Sequence, residues 1–337
     1  MKIIAFCLLL LAHPIFVKGK DIPYAKVDKY AASIGYMSSD SLAQKLTRPF
    51  ITDSEKVRSI FYWITQHISY DVISYHHPVD IDYSTIVDSV RNFEAAYNAL
   101  YAENVLKKRM GVCSGYAGLF KLLCDKAGIN SVIINGWAKT CVESIGASFR
   151  ENHAWNAVEV NGEWKLLDAC WASGQCDRAV TKFTRKYQDF YFFTPPDMFV
   201  LNHYPSDSSS LFTKKTISKE EFSNYPLPYI PKTHLVIDSF TPAKGNIEAK
   251  IGDTLQFELT LNEGIDNFNI MYGSYIAEFT ATGGIIKSFS RLGKSQHFKC
   301  KGNRIFYDYE VWTDKVADLY LLYNNKYLLS YRLAVKK

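Results

Sequence analysis

Arg109-Met-Gly-Val-Cys-Ser-Gly-Tyr-Ala-Gly-Leu-Phe-Lys-Leu-Leu-Cys-Asp-Lys-Ala-Gly128 is the stretch whose reading decides the fold. Leu119, Phe120, Leu123 and Ala127 recur at helical spacing, Gly111 and Gly115 loosen the approach, and Gly128 stands where a left-handed C-terminal cap is wanted. The spacing therefore predicts a loop that delivers Cys113 to the first turn of a helix ending near Gly128. A thiol placed there feels the positive end of the helix dipole and unpaired backbone N–H groups, which favour thiolate. Taken alone, Cys113 reads equally as a small buried hydrophobe, the usual state of a free cysteine.

A second stretch changes that balance. Glu151-Asn-His-Ala-Trp-Asn-Ala-Val-Glu-Val-Asn-Gly-Glu-Trp-Lys-Leu-Leu-Asp-Ala-Cys-Trp171 holds Asn161-Gly162 between two extended runs, a strong signal for a two-residue hairpin turn. If Val160 pairs with Glu163, His153 falls opposite Cys170 and Trp155 opposite Asp168, so His153 and Asp168 become diagonal neighbours on one face. Such diagonal positions lie about 7–8 Å apart at the backbone, within reach for side chains. Asp168 would then fix the tautomer of His153 while the other ring nitrogen faces Cys113. The bland alternative is a hairpin with a capping histidine and an ordinary surface aspartate.

Gly-Val-Cys113-Ser-Gly-Tyr-Ala, Asn-His153-Ala-Trp-Asn-Ala-Val and Asn-Gly-Glu-Trp-Lys-Leu-Leu-Asp168-Ala-Cys-Trp together resemble the core of the transglutaminase-like superfamily of papain-like cysteine enzymes. Within it the chain most resembles the branch holding the kyphoscoliosis peptidase and the cytokinesis-type transglutaminase-like proteins. The run Lys56 to Asp71 resembles the family's preceding helix, and Tyr191 to Phe199 with His203-Tyr-Pro205 resembles a block that follows the triad. The resemblance covers residues 45 to 210. It implies Cys113 as nucleophile, His153 as general base and acid, and Asp168 as the group that orients the histidine. It also implies an α+β fold in which the helix bearing the cysteine packs on an antiparallel sheet.

The chain has 337 residues, 47% of them hydrophobic and 15% aromatic, enough for a large core and for two domains. The apolar run after Lys2, closed by Val17-Lys-Gly19, reads as a signal peptide over 1–19, too short to span a bilayer and implying a secreted or periplasmic protein. Removing Lys2 and Lys18 with it takes the net charge from +5 to +3, which gives no reason to invoke nucleic acid. No later segment reaches transmembrane length. The seven cysteines include Cys7 in the leader, and with Cys113 free the remainder is odd; Cys170 with Cys176 could close a small loop, but the sequence leaves disulfide connectivity open. There is no His-Glu-x-x-His and no paired Cys-x-x-Cys, so neither a metal nor a cofactor is expected.

Residues 20 to 50 read as partly helical, ending at Pro49, and Ser54 to Tyr70 as an amphipathic helix with Val57, Ile60, Phe61, Ile64 and Ile68 on one stripe. Trp63 on that helix reads as core, with an oxyanion-binding indole as the sharper alternative. Residues 72 to 105 read as an irregular lobe, Asn130 to Trp137 as a buried strand, and Thr140 to Arg150 as a loop lining the cleft and setting specificity. Trp155 and Trp171 read as cleft walls or as packing.

Tyr225-Pro-Leu-Pro-Tyr-Ile-Pro231 reads as a stiff linker, dividing an enzyme domain over 20–230 from a domain over 231–337. There, short β-like runs alternate with turns at Pro242, Gly245, Gly252, Gly264, Gly283-Gly284 and Asn324-Asn325, the pattern of a β-sandwich of immunoglobulin-like size that presents or holds a protein or glycan ligand. The function expected is acyl transfer from a peptide or carboxamide through a thioester, with hydrolysis favoured over transfer to an amine. The competing class is a non-catalytic scaffold that keeps the fold.

Overall fold

Helix α3 (Asp53–His67) begins at a capping box in which Thr52 accepts from the Glu55 backbone and the Glu55 carboxylate reaches back to Thr52. Val57, Ile60, Phe61 and Ile64 are fully buried along its inner stripe, against α1 (Ala25–Ser33) and α2 (Ser39–Thr47). These coordinates are a computed structural model that describes residues 24–78, 93–229, 237–261, 275–279, 296–323 and 326–336. The expected leader, the turns at Gly264, Gly283-Gly284 and Asn324-Asn325, and the run from Phe268 to Tyr272 lie outside them.

The helix stops three residues earlier than its sequence suggests. Ile68 turns extended, and β1 (Ser69–Tyr70) pairs in parallel with β2 (Met110–Gly111), fixed by Ser69 N–H to Arg109 O at 3.0 Å and Asp71 N–H to Gly111 O at 3.1 Å. That pairing ties the end of α3 to the approach of Cys113. After the short α4 (Val72–His76), the expected irregular lobe is in part a long helix, α5 (Phe93–Lys108), which buries Ala102, Val105 and Leu106 at helical spacing against α6 (Cys113–Lys126). Helix α6 starts and ends where its sequence predicts, with Ile129 N–H to Cys124 O (2.9 Å) closing its C-terminus beyond the positive-φ Gly128.

The sheet behind α6 is antiparallel, in the order β8 (Phe192–Thr194), β5 (Glu163–Leu167), β4 (His153–Val160), β3 (Ser131–Ala138), β9 (His203–Pro205). The hairpin turn forms as predicted, with φ of 53° at Asn161 and 78° at Gly162, and Val160 pairs with Glu163. Between β5 and β8 lie α7 (Ala169–Ser173), β6 (Gly174–Cys176) and β7 (Phe183–Arg185), and between β8 and β9 lies α8 (Pro196–Phe199). Arg58, 3% exposed, clamps this half of the chain together by pairing with Asp28 at 2.7 Å and Asp189 at 2.5 Å among the rings of Tyr24 and Phe192.

The remaining strands make two facing sheets around one core. One sheet runs β10 (Leu227–Pro228), β18 (Lys326–Lys336), β17 (Asp318–Tyr323), β14 (Tyr275–Phe279), with β12 (Asn246–Lys250) joined in parallel to β18. The other runs β11 (Ile237–Thr241), β13 (Thr254–Leu261), β16 (Arg304–Glu310), β15 (Gln296–Lys301). Burial alternates along β13 and β16, so Phe257, Leu259, Ile305 and Tyr307 point at Leu319, Leu321, Leu329 and Tyr331 across the gap.

Two readings of the connecting segments need correction. The stretch from Tyr225 to Pro231 is not a free-running linker at its start, because Leu227 and Pro228 pair with Ser330 and Leu329 as β10, on the edge of the second unit's sheet. The loop Thr140 to Arg150 packs on that joint: Val142 and Ile145 are buried with Leu227 beneath Tyr320, and Gly146 N–H bonds Ser223 O in α9 (Lys219–Asn224). Apolar side chains at 142 and 145 direct it there rather than over the cleft.

Candidate active site

Cys113 is the first residue of α6, behind an extended Val112 whose side chain offers no cap. Gly115 and Tyr116 N–H bond Val112 O at 2.9 and 3.1 Å, whereas the N–H groups of Cys113 and Ser114 precede any intrahelical carbonyl, so the helix start presents these donors and its dipole to the sulfur. Three contacts hold that turn in place. The Tyr116 hydroxyl donates to Ile68 O at 2.7 Å, Ser173 Oγ reaches the same hydroxyl at 3.3 Å, and Asn156 Nδ2 donates to Ala117 O at 3.1 Å from strand β4.

His153 opens β4, and its Nε2 donates to Asp168 Oδ2 at 2.7 Å, while the ring stands in hydrogen-bonding reach of the Cys113 thiol. With Nε2 engaged, Nδ1 is the nitrogen left for the sulfur. The hairpin register predicts His153 beside Asp168, and the two do meet, but by a route that follows that register only in part. Ladder pairing runs from Val160–Glu163 to Asn156–Leu167 and then stops, so the expected pairs His153–Cys170 and Trp155–Asp168 do not form. Asp168 instead leaves the strand as N-cap of α7, its Oδ1 accepting from Trp171 N–H at 2.9 Å, and His153 pairs on its other side with Gly136 of β3. An aspartate at that point prefers capping to another ladder position.

Gly136 is what allows β3 to pass there. A Cβ on it would lie 2.2 Å from Tyr204 O and 2.6 Å from the Trp155 ring, between the strands that carry His153 and His203. Trp155 itself is 1% exposed and stacks in the core, so its packing reading holds. Trp171 is half-buried with its ring centre 5.2 Å from that of His153.

The electrostatics of the three groups favour an ion pair. Burial works against the Cys113 thiolate, but the hydrogen bond and charge of His153, with a backbone hydrogen bond at Ala154, outweigh it and hold the thiol below its ordinary value. Burial also opposes charge on His153, yet the Asp168 carboxylate raises the imidazole to about 10. Asp168, buried but paired with His153 and hydrogen-bonded, stays well below the usual carboxylate range. Elsewhere burial pushes the thiols of Cys124, Cys170 and Cys176 up, and Cys300 up to about 11. The six described cysteines are all free, Cys170 and Cys176 among them.

Two further aromatic and imidazole groups resolve the remaining readings. The Trp63 indole N–H donates to Ile34 O at 2.8 Å in a fully buried setting, so it is core and not available to an oxyanion. His203, on β9, belongs in the sequence to the block downstream of the three site residues. It lies 1% exposed with Nε2 3.2 Å from Asp168 Oδ2 and Nδ1 2.6 Å from Asn202 Oδ1. Its one sequence signal was a histidine within an otherwise apolar strand. His153, Asp168 and His203 bring their donor atoms within 4.8 Å of one another, a set chemically able to hold a metal. Here both imidazoles lie at hydrogen-bond distance from one carboxylate oxygen, spacings that a shared proton spans.

Residues 40–169 match the family model described as the transglutaminase-like superfamily. The human kyphoscoliosis peptidase is 33% identical over 204 residues, covering 60% of this chain and 28% of that protein. Hillarin of Drosophila melanogaster is 27% identical over 221 residues (61% of this chain, 25% of that protein). Cytokinesis protein 3 of Saccharomyces cerevisiae is 25% identical over 224 residues (64% and 23%). The chain thus spans about a quarter of the length of these curated relatives.

Proposed function

From the premise that this chain carries a transglutaminase-like domain over residues 40–169, we propose that it is a secreted cysteine enzyme that cleaves peptide or carboxamide bonds through Cys113, His153 and Asp168. The observation that carries the proposal is the 2.7 Å hydrogen bond from the His153 imidazole to the buried Asp168 carboxylate, with that same imidazole lowering the pKa of a thiol at a helix N-terminus. The Cys113 thiolate adds to the carbonyl carbon, and the carbonyl electron pair moves onto oxygen, facing the backbone N–H groups of Cys113 and Ser114 at the start of α6. His153, holding a proton, gives it to the departing nitrogen as the C–N bond breaks, which leaves a thioester and a free amine. His153 then takes a proton from water as it attacks the thioester, and the acid leaves with Cys113 restored. An amine in place of water would give transamidation by the same steps. Hydrolysis is the reading favoured here, supported by the peptidase among the relatives.

Iodoacetamide labelling of the full chain near neutral pH, mapped by mass, tests the nucleophile: Cys113 should react well ahead of Cys300, and His153→Ala should suppress that lead. Equal labelling of the two would support an inert scaffold. A peptide library incubated with and without an added primary amine separates the two acceptors, since amide products in place of acids would identify a transferase. Turnover should fall above about pH 10, where the raised imidazole loses the proton it must donate. Export is checked by N-terminal sequencing of the protein recovered outside the cell, expected to begin at Lys20.

A further inference from the structure

Asp168 carries a second imidazole that the three-residue scheme does not use. His203 lies in β9, across β3 from His153, with its ring centre 4.4 Å from that of Trp171 and 4.3 Å from that of Phe199. Its Nε2 approaches the same Oδ2 that takes the His153 proton, at 3.2 Å against 2.7 Å, while Trp171 N–H holds Oδ1 at 2.9 Å. This arrangement has a consequence for the carboxylate. The terminal torsion of an aspartate is broad and nearly two-fold, so an Asp with a single donor can exchange its oxygens at little cost. Three donors distributed two to Oδ2 and one to Oδ1 remove that freedom.

The proton on His203 can be assigned. Burial holds its pKa down to about 4, so the ring is neutral and has one N–H to place. One nitrogen faces a carboxylate and the other the side-chain amide of Asn202. The charged oxygen is the stronger acceptor, which favours the proton on Nε2; the Asn202 amide, placed with Oδ1 2.6 Å from Nδ1, then has to make a half-turn to offer its N–H there.

We infer that His203 is a positioning residue for the Cys113 chemistry, fixing the Asp168 carboxylate so that His153 keeps Nε2 on the carboxylate and Nδ1 toward the sulfur. The working unit then runs from Cys113 through His153, Asp168 and His203 to Asn202. This rests on the reading of Cys113 as a nucleophile.

The test uses the full chain and iodoacetamide as probe, recording the pH profile of Cys113 alkylation. His203→Phe keeps a ring between Trp171 and Phe199 but donates nothing; His203→Gln returns an N–H close to the place of Nε2. The Phe variant should react about tenfold more slowly at neutral pH, the scale of one charge-assisted hydrogen bond, with its acid limb displaced upward because a less well held His153 stabilises the thiolate less. The Gln variant should recover most of both. A Phe variant with the wild-type profile, or a folded Gln variant as slow as Phe, would overturn the inference. Should the Phe variant not fold, nitrogen-15 spectra of the wild-type imidazoles decide: His203 must show a neutral ring protonated at Nε2 from pH 6 upward, and a proton on Nδ1 refutes it. Wild-type Cys113 labelling no faster than Cys300 would sink the nucleophile reading itself, a result separate from any difference between the variants.

Discussion

The two units of this chain bury different things. Before residue 230 the interior holds Arg58, Lys139, His153, Asn156, Asp168, Asn202 and His203, all under 9% exposed, whereas among the described residues beyond 236 Ser330 is the buried polar residue. Desolvating a polar or charged group costs several kcal/mol unless partners replace the water, so the first unit persists only as a connected network. The second unit is held by apolar area and ring packing, with no such condition. The chemistry proposed for Cys113, His153 and Asp168 lies within the interior that depends on such a network.

The comparison breaks most sharply at the nucleophile. Cys113→Ala should remove about 10⁶-fold of turnover, the scale seen when a nucleophile is deleted, while the melting temperature stays near wild type because the sulfur is only partly buried. A large loss of thermal stability instead would mean that Cys113 is structural. Asp168→Asn should cost about 10⁴-fold by presenting His153 with the wrong tautomer partner, measured as kcat on a cleaved peptide. Unchanged kcat would shift the orienting role elsewhere, with His203 the first place to look.

Within the second unit, Leu321→Ala should destabilise by about 2–5 kcal/mol through the cavity left between the sheets. Calorimetry reads that loss, and the Cys113 alkylation rate of the folded variant should not change. A slowed alkylation would show that the two interiors are coupled through the joint at Ile145 and Leu227.

A further test concerns Lys139, whose ammonium sits 2.8 Å from Phe222 O and 2.9 Å from Tyr225 O, with no ion pair to a carboxylate among the described residues. Burial lowers it from 10.5 to about 7. Between those values the unfolded chain binds a proton that the folded chain does not, so the lysine's contribution to stability rises with pH across that window. Denaturant titrations should therefore find Lys139→Met ahead of wild type at pH 7 and losing that lead toward pH 10. A constant difference would mean that the ammonium stays charged against its two carbonyls.

What could be read in advance follows from how locally each feature is determined. Asn161-Gly162 admits a two-residue turn, and that alone set the register that brought His153 near Asp168. Gly128 closed α6 and the stripe on α3 was visible, because both depend on residues within one or two turns. His203 was not legible as part of the site, since β9 reaches it through β3, more than sixty positions earlier in the chain. Asp168 was misplaced by one step because its capping tendency competes with the ladder. The run from Tyr225 looked like a spacer because prolines discourage strands, yet at a sheet edge a proline is tolerated.

That edge strand makes the two units hard to part. Leu227 and Pro228 pair with Ser330 and Leu329, and Tyr229 N–H continues the contact to Leu328 O. A fragment starting after residue 230 would leave that margin of β18 bare, a template for association with other copies. The outgoing end of the first unit thus serves as the cover that keeps the second from sticking to itself.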